Sequence, residues 1–183
     1  MSLLTTYDLE ALRDEERKAT RFFGLNEAKV IRERGRSLGE KYVFLSHKHS
    51  EKGILESVVM LLNNLGVSVY LDWQDAAMPK STSGYTARRI KSKIRQSDKF
   101  ILVATEAAIA SKWCNWELGY GDAKKYPDNI AILPIRQGFS HFTGSEYLAI
   151  YSRIEQRSEY TSGYAVIHPD GSRLSLSMWM TKR

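Results

Sequence analysis

Four short apolar runs, separated by stretches with helical spacing, constrain this chain more than any other feature. Tyr42–Leu45, Val67–Leu71, Phe100–Val103 and Ile130–Ile135 are nearly uninterrupted apolar segments of strand length. Between the first two, Ile54, Leu55, Val58, Val59, Leu61, Leu62 and Leu65 recur at helical intervals, so Gly53–Leu65 reads as a helix ended by Gly66. A strand whose residues do not alternate between apolar and polar is covered on both faces. Strands that alternate with helices form a parallel sheet joined by crossover helices. The fold class is therefore α/β: a parallel sheet with helices on both faces. Such sheets place ligand sites at the carboxyl ends of their strands, which directs attention to the residues after Leu45, Leu71 and Val103.

The remaining segments fit around this frame. Thr5–Leu38 reads as an N-terminal helical arm in two pieces, with Thr5 or Thr6 as N-cap, a break near Gly24 and Asn26, and an end at Gly35 or Gly39. Residues 1–39 form this arm and residues 40–183 the α/β domain. The arm is rich in charge and poor in apolar residues, so it is expected to pack through a narrow stripe, on the rest of the chain or on a second copy. Asp72–Gly84, with Pro79, reads as a long loop. Tyr85–Gln96 reads as a basic amphipathic helix with Ile90 and Ile94 inward, and Glu106–Lys125 as mostly helical. In the tail, Tyr164–Ile167 reads as a last strand and Pro169-Asp170-Gly171 as a turn. Ser175 or Ser177 then caps a short helix holding Met178, Trp179 and Met180.

Composition narrows the function classes. The 183 residues are 43% hydrophobic, enough for one core. The net charge of +6 favours anions, but no stretch has the density of a basic arm. Lysines and arginines on solvated helix faces explain that charge better than nucleic-acid binding does. No apolar run approaches the ~20 residues that span a bilayer, and Met1–Glu10 lacks secretory-signal features, so no membrane association is expected. Cys114 is the only cysteine, which fits a reducing compartment, most simply the cytoplasm. No glycine-rich dinucleotide fingerprint follows the first strand, and there is no Walker A sequence.

Polar residues cluster after the strands: Ser46-His47-Lys48-His49-Ser50, Asp72-Trp73-Gln74-Asp75, and Ser111-Lys112-Trp113-Cys114-Asn115-Trp116-Glu117-Leu118. On its residues alone, Glu117 reads as a solvated helix glutamate paired with Lys112 or Lys124. Trp113 alone reads as core, and Asp72 as a turn-forming cap. His47 and His49 have the spacing of a metal pair, but no cysteine or third histidine lies near them in sequence, so no metal is expected. Cys114 is expected to point away from Glu117 and has no evident partner base, which argues against a cysteine nucleophile.

The ordered set FLSHKHSEK, VYLDW with its long loop, and SKWCNWELG resembles the Toll/interleukin receptor (TIR) domain family, of the bacterial and plant type. The resemblance covers Lys41 to about Ile135. It implies a flavodoxin-like sheet and, for many members, cleavage of NAD as substrate, with no further cofactor. In those members the catalytic glutamate stands four residues after a tryptophan, a pattern that Trp113 and Glu117 match. Positions four apart share a helix face. The resemblance further implies that Phe44, Ser46, His47, Lys48, Asp72, Trp73 and Trp113 line the substrate pocket. It makes Asp72–Gly84 the loop through which such domains self-associate and gate the site. Trp116 and Tyr120 are expected on a different face, in packing or an interface. A Thoeris-type antiphage role, with a downstream effector sensing the product, follows if the chain makes a signal nucleotide. The alternative within the family is a non-enzymatic module that only assembles with other TIR domains.

Overall fold

The computed structural model describes residues 3–23, 41–65, 67–71, 83–125, 128–136, 146–160 and 163–182, with the side chains of 16–23 and 147 excepted. Eight strands appear among them. They are β1 (Leu4–Thr5), β2 (Lys41–Ser46), β3 (Val67–Tyr70), β4 (Lys99–Ala104), β5 (Ile130–Arg136), β6 (Ser152–Gln156), β7 (Tyr164–Ile167) and β8 (Arg173–Ser175). The helices are α1 (Thr6–Phe23), α2 (Lys52–Asn64), α3 (Gly84–Gln96), α4 (Glu106–Ile109), α5 (Lys112–Lys125) and α6 (Leu176–Thr181).

The sheet runs β3-β2-β4-β5-β6-β7-β8. β2 to β6 are parallel, in the doubly wound order of flavodoxin-like sheets, as expected. The order reverses between β2 and β4, so the crevice at their carboxyl ends is the topological switch point. Strand alternation distributes the layers. Val43 and Leu45 of β2, with Ile101 and Val103 of β4, face a cluster that includes Leu9 of α1, Leu55, Val58 and Leu62 of α2, and Trp179 of α6. Phe44, Phe100 and Leu102 face the other layer, with Ile90 and Ile94 of α3 and Cys114 and Leu118 of α5. Gly121 of α5 lies so close to the Phe100 ring that a Cβ there would meet it at 3.0 Å, which explains a glycine inside this helix.

Three features add to what was expected. Leu4 and Thr5 pair with Ile135 and Arg136, so a short strand precedes the first helix. Thr5 is the cap: Asp8 N–H donates to Thr5 Oγ1 at 3.1 Å, and Thr5 N–H donates back to Asp8 Oδ2 at 2.8 Å. Leu4 and Leu9 lie in the common core and α1 packs on α2, so the start of the arm docks on its own chain. The rest of the arm, 24–40, lies outside the described residues. Secondly, Glu106–Lys125 is two helices. Thr105 caps α4 by accepting from Ala108 N–H at 3.0 Å, and Ser111 accepts from Cys114 N–H at 3.4 Å at the start of α5. Thirdly, the tail holds two further strands, β6 and β8, paired antiparallel to β7. The turn before β8 is as expected, with Gly171 at φ 83° and Ser172 N–H donating to Asp170 Oδ1 at 2.8 Å. Ser175 caps α6.

Candidate active site

The switch point brings the first and third polar clusters together. Ser46 ends β2 on the same face as Phe44, two residues earlier, and so points into the α5 layer. There its Oγ–H donates to Oε2 of Glu117 at 2.6 Å. Ser46 is 1% exposed and Glu117 3% exposed, so this is a buried carboxylate at a strand end. A solvated glutamate paired with Lys112 or Lys124 is ruled out by that burial.

Cys114 lies on the same face of α5, contrary to expectation, because positions three apart are also neighbours on a helix. Its Sγ–H donates to the His47 carbonyl at 3.2 Å. Successive residues of the β2 end, Ser46 and His47, are thus each tied to α5, one turn apart. Burial pushes the Cys114 thiol up, and the Glu117 charge acts in the same direction against the lowering effect of Ser111. A thiol held protonated is a structural donor and a poor nucleophile.

His47 is buried, and its Nδ1 lies 2.7 Å from the Leu45 carbonyl. A carbonyl only accepts, so Nδ1 carries the proton. Its ring meets His49 edge-on, with centroids 5.2 Å apart. Lys48 is half-buried beside them. At the far end of this loop Glu51 N–H donates to the Lys48 carbonyl at 3.0 Å, and Thr105 Oγ1 donates to Glu51 Oε2 at 2.6 Å. Nothing in the ordered motifs pointed to Thr105, which stands just beyond β4.

Trp113 is half-buried at the rim, one turn before Glu117. Its ring stacks on Trp116 at 4.9 Å and 25°, and Trp116 stacks on Tyr120 at 6.5 Å and 18°. Lys91 of α3 lies 5.4 Å from the Trp116 ring and 5.1 Å from the Tyr120 ring, and Arg95 donates to the Tyr120 hydroxyl at 3.0 Å. Trp116 and Tyr120 therefore continue the Trp113 surface instead of occupying a separate face. Phe44 is also placed differently. It is 2% exposed and stacks between Tyr70 and Phe100, in the core beneath the site. Asp72, Trp73 and the loop through residue 82 lie outside the described residues. A cavity of about 410 Å³ opens on the opposite layer, between α1 and the start of α2, and touches the loop only at Ser50 and Glu51.

A buried carboxylate that accepts from the Ser46 hydroxyl, one turn along α5 from an aromatic surface, can stabilise a developing cation or hold sugar hydroxyls. No helix among the described residues is long and apolar enough to cross a membrane.

Comparison with known proteins bears on the family. Residues 43–161, well over half of the chain, match the family profile described as "TIR domain". A Bacillus cereus (strain MSX-D12) protein named "Probable 3' cyclic ADP-D-ribose synthase ThsB'" is 31% identical over 113 residues, 60% of this chain and 58% of that protein. A Cytobacillus dafuensis protein named "Putative cyclic ADP-D-ribose synthase TIR2" is 31% identical over 81 residues, 43% of this chain and 21% of that protein. The chain thus spans less than two thirds of either relative.

Proposed function

The chain belongs to the TIR domain family, and from that premise we propose that it cleaves the nicotinamide–ribose bond of NAD, with Glu117 as the catalytic carboxylate. The observation that carries this reading is the buried Glu117 bonded to Ser46 at the switch point of the sheet. The names of two relatives as cyclic ADP-D-ribose synthases support the same chemistry.

The reaction suits a single carboxylate. Nicotinamide in NAD is already cationic, so it leaves as a neutral molecule and needs no proton. Breaking its bond to ribose leaves an oxocarbenium-like sugar, and a negative charge fixed in a low-dielectric site stabilises that cation. Ser46 keeps the Glu117 carboxylate oriented. In this reading His47 and Lys48 hold nicotinamide and phosphate oxygens, and Trp113 walls the ribose. Water attacking the sugar cation gives ADP-ribose. Adenine attacking it gives a cyclic ADP-ribose.

The loop from Asp72 to Gly84 is assigned to self-association, which closes the cleft of one copy with the loop of another. A cleft closed in this way excludes water and favours cyclisation. A cyclic product would serve as a signal to a downstream effector, in an antiphage role of the Thoeris type within the cytoplasm. Incubation of the purified chain with NAD, with products identified by mass, tests the reading. Nicotinamide with ADP-ribose or its cyclic isomer is expected, and NAD left intact at all protein concentrations overturns it.

A further inference from the structure

Glu51 holds an odd position. It is the N-cap residue of α2, and its carbonyl accepts from Leu55 N–H at 3.2 Å. Its side chain makes no capping bond to that helix, and the first turn of α2 contains no acidic residue. Ser, Thr, Asp and Asn cap well because a short side chain reaches back to the first free N–H groups. The Glu51 carboxylate reaches away instead, to Thr105 Oγ1 at 2.6 Å. Thr105 is fully buried, and the same hydroxyl accepts from Ala108 N–H at 3.0 Å. With its lone pair engaged by Ala108, the hydroxyl proton is directed at Glu51. The bond links residues 54 apart in sequence and crosses from the end of β2 to the end of β4.

Between Ser46 and Glu51 lies the loop His47–Ser50. Its near end is fixed to α5 through Ser46–Glu117 and His47–Cys114. Its far end is fixed by Glu51–Thr105, with the turn drawn in by the bond from Glu51 N–H to the Lys48 carbonyl. A residue that breaks a local rule beside a candidate site, and gives up a helix cap in doing so, behaves as functional residues do.

We propose that Glu51 and Thr105 are a positioning pair that sets the loop His47–Ser50 in its substrate-holding geometry; this rests on the NAD-cleaving reading above. Neither residue touches the reacting atoms. Glu117 keeps its own anchor on α5 and Ser46, so the pair acts on substrate binding more than on the chemical step.

Glu51→Gln keeps an oxygen that accepts from Thr105, and Thr105→Ser keeps the hydroxyl. Glu51→Asp is one methylene too short for Thr105 yet suits the N-cap, and Thr105→Val removes the donor. The readouts are steady-state nicotinamide release from NAD, thermal unfolding, and amide hydrogen exchange at His47–Ser50, all on the full chain. Glu51→Asp is expected to unfold at an unchanged or higher temperature, to raise KM about tenfold with kcat within about threefold, and to speed exchange in the loop. Thr105→Val is expected to show the same KM rise and faster exchange, while Glu51→Gln and Thr105→Ser stay near wild type. Wild-type KM and unchanged loop exchange in Glu51→Asp overturn the proposal, as does activity that merely follows thermal stability across the four variants. If the unaltered chain leaves NAD intact, the NAD reading fails by itself, and loop exchange in Glu51→Asp alone decides the pair: faster exchange supports it and unchanged exchange overturns it.

Discussion

Ser46 Oγ donates to Glu117 Oε2 across 2.6 Å, joining the end of β2 to the middle of α5 inside the protein. A buried carboxylate left without a donor is costly, and one held by a donor is fixed in direction. Ser46→Ala is expected to lower kcat/KM for NAD by about tenfold to a hundredfold while the chain still folds. Steady-state nicotinamide release, with circular dichroism as the folding control, checks this. A folded variant with wild-type kcat/KM contradicts it.

The aromatic rim makes a graded prediction. Trp113 stands one turn from Glu117, and Trp116 backs its ring at 4.9 Å. Trp113→Ala is expected to lose more activity than Trp116→Ala, by about tenfold. Because the two rings stack, the double variant is expected to lose less than the two single losses combined. Equal losses, or full additivity, show that the rim is not a supported wall of the site.

Lys99 lies at the other end of β4 and gives a pH dependence independent of the site. It is 1% exposed, its ammonium sits 4.7 Å from the Trp179 ring centre, and it donates to Asn129. Burial, and then the neighbouring Lys41, pull its pKa down to about 8. The unfolded chain holds this proton more tightly, so the Lys99 charge opposes folding fully below about pH 8. The penalty fades as pH rises from there toward the unfolded value near 10.4. Relative to Lys99→Met, the unaltered chain is expected to gain on the order of 1–2 kcal/mol of stability between about pH 7 and about pH 9.5. Paired denaturant titrations measure the difference, and a gap independent of pH contradicts the assignment.

Assembly is tested by dilution. If the loop from Asp72 to Gly84 of one copy completes the cleft of another, activity per molecule falls as the protein is diluted. Substitutions in Ala76–Ser81 should then lower activity at every concentration. Flat specific activity that ignores those substitutions places a complete cleft in the monomer.

Most of the doubly wound frame was legible because its strands are unbroken apolar runs. Phe100–Val103 and Ile130–Ile135 can be little else than buried strands. β6 was not, since Ser-Arg-Ile-Glu-Gln carries no apolar run. It is held by its pairing with β5 and β7 and by Glu155, which is buried between Arg153 and Arg157 at 3.3 and 2.9 Å. β1 escaped because two residues cannot show a period. Glu117 and Trp113 were legible only as a motif, because nothing in their own chemistry distinguishes a buried glutamate from a solvated one. Cys114 was misplaced although its spacing from Glu117 held the answer. Phe44 was assigned to the pocket from the motif; it shares the Ser46 face of β2 but lies two residues deeper, buried between Tyr70 and Phe100. Glu51–Thr105 joins two segments that only the folded sheet makes neighbours.

NAD cleavage, as proposed, rests on the Glu117 carboxylate. Glu117→Gln removes the charge and keeps the shape and an oxygen that can accept from Ser46. Single-turnover nicotinamide release, measured for this variant beside the unaltered chain at matched concentration and matched thermal stability, decides whether that charge is needed. A loss of at least about a hundredfold in a folded protein is expected. A folded Glu117→Gln chain that releases nicotinamide at the unaltered rate contradicts it.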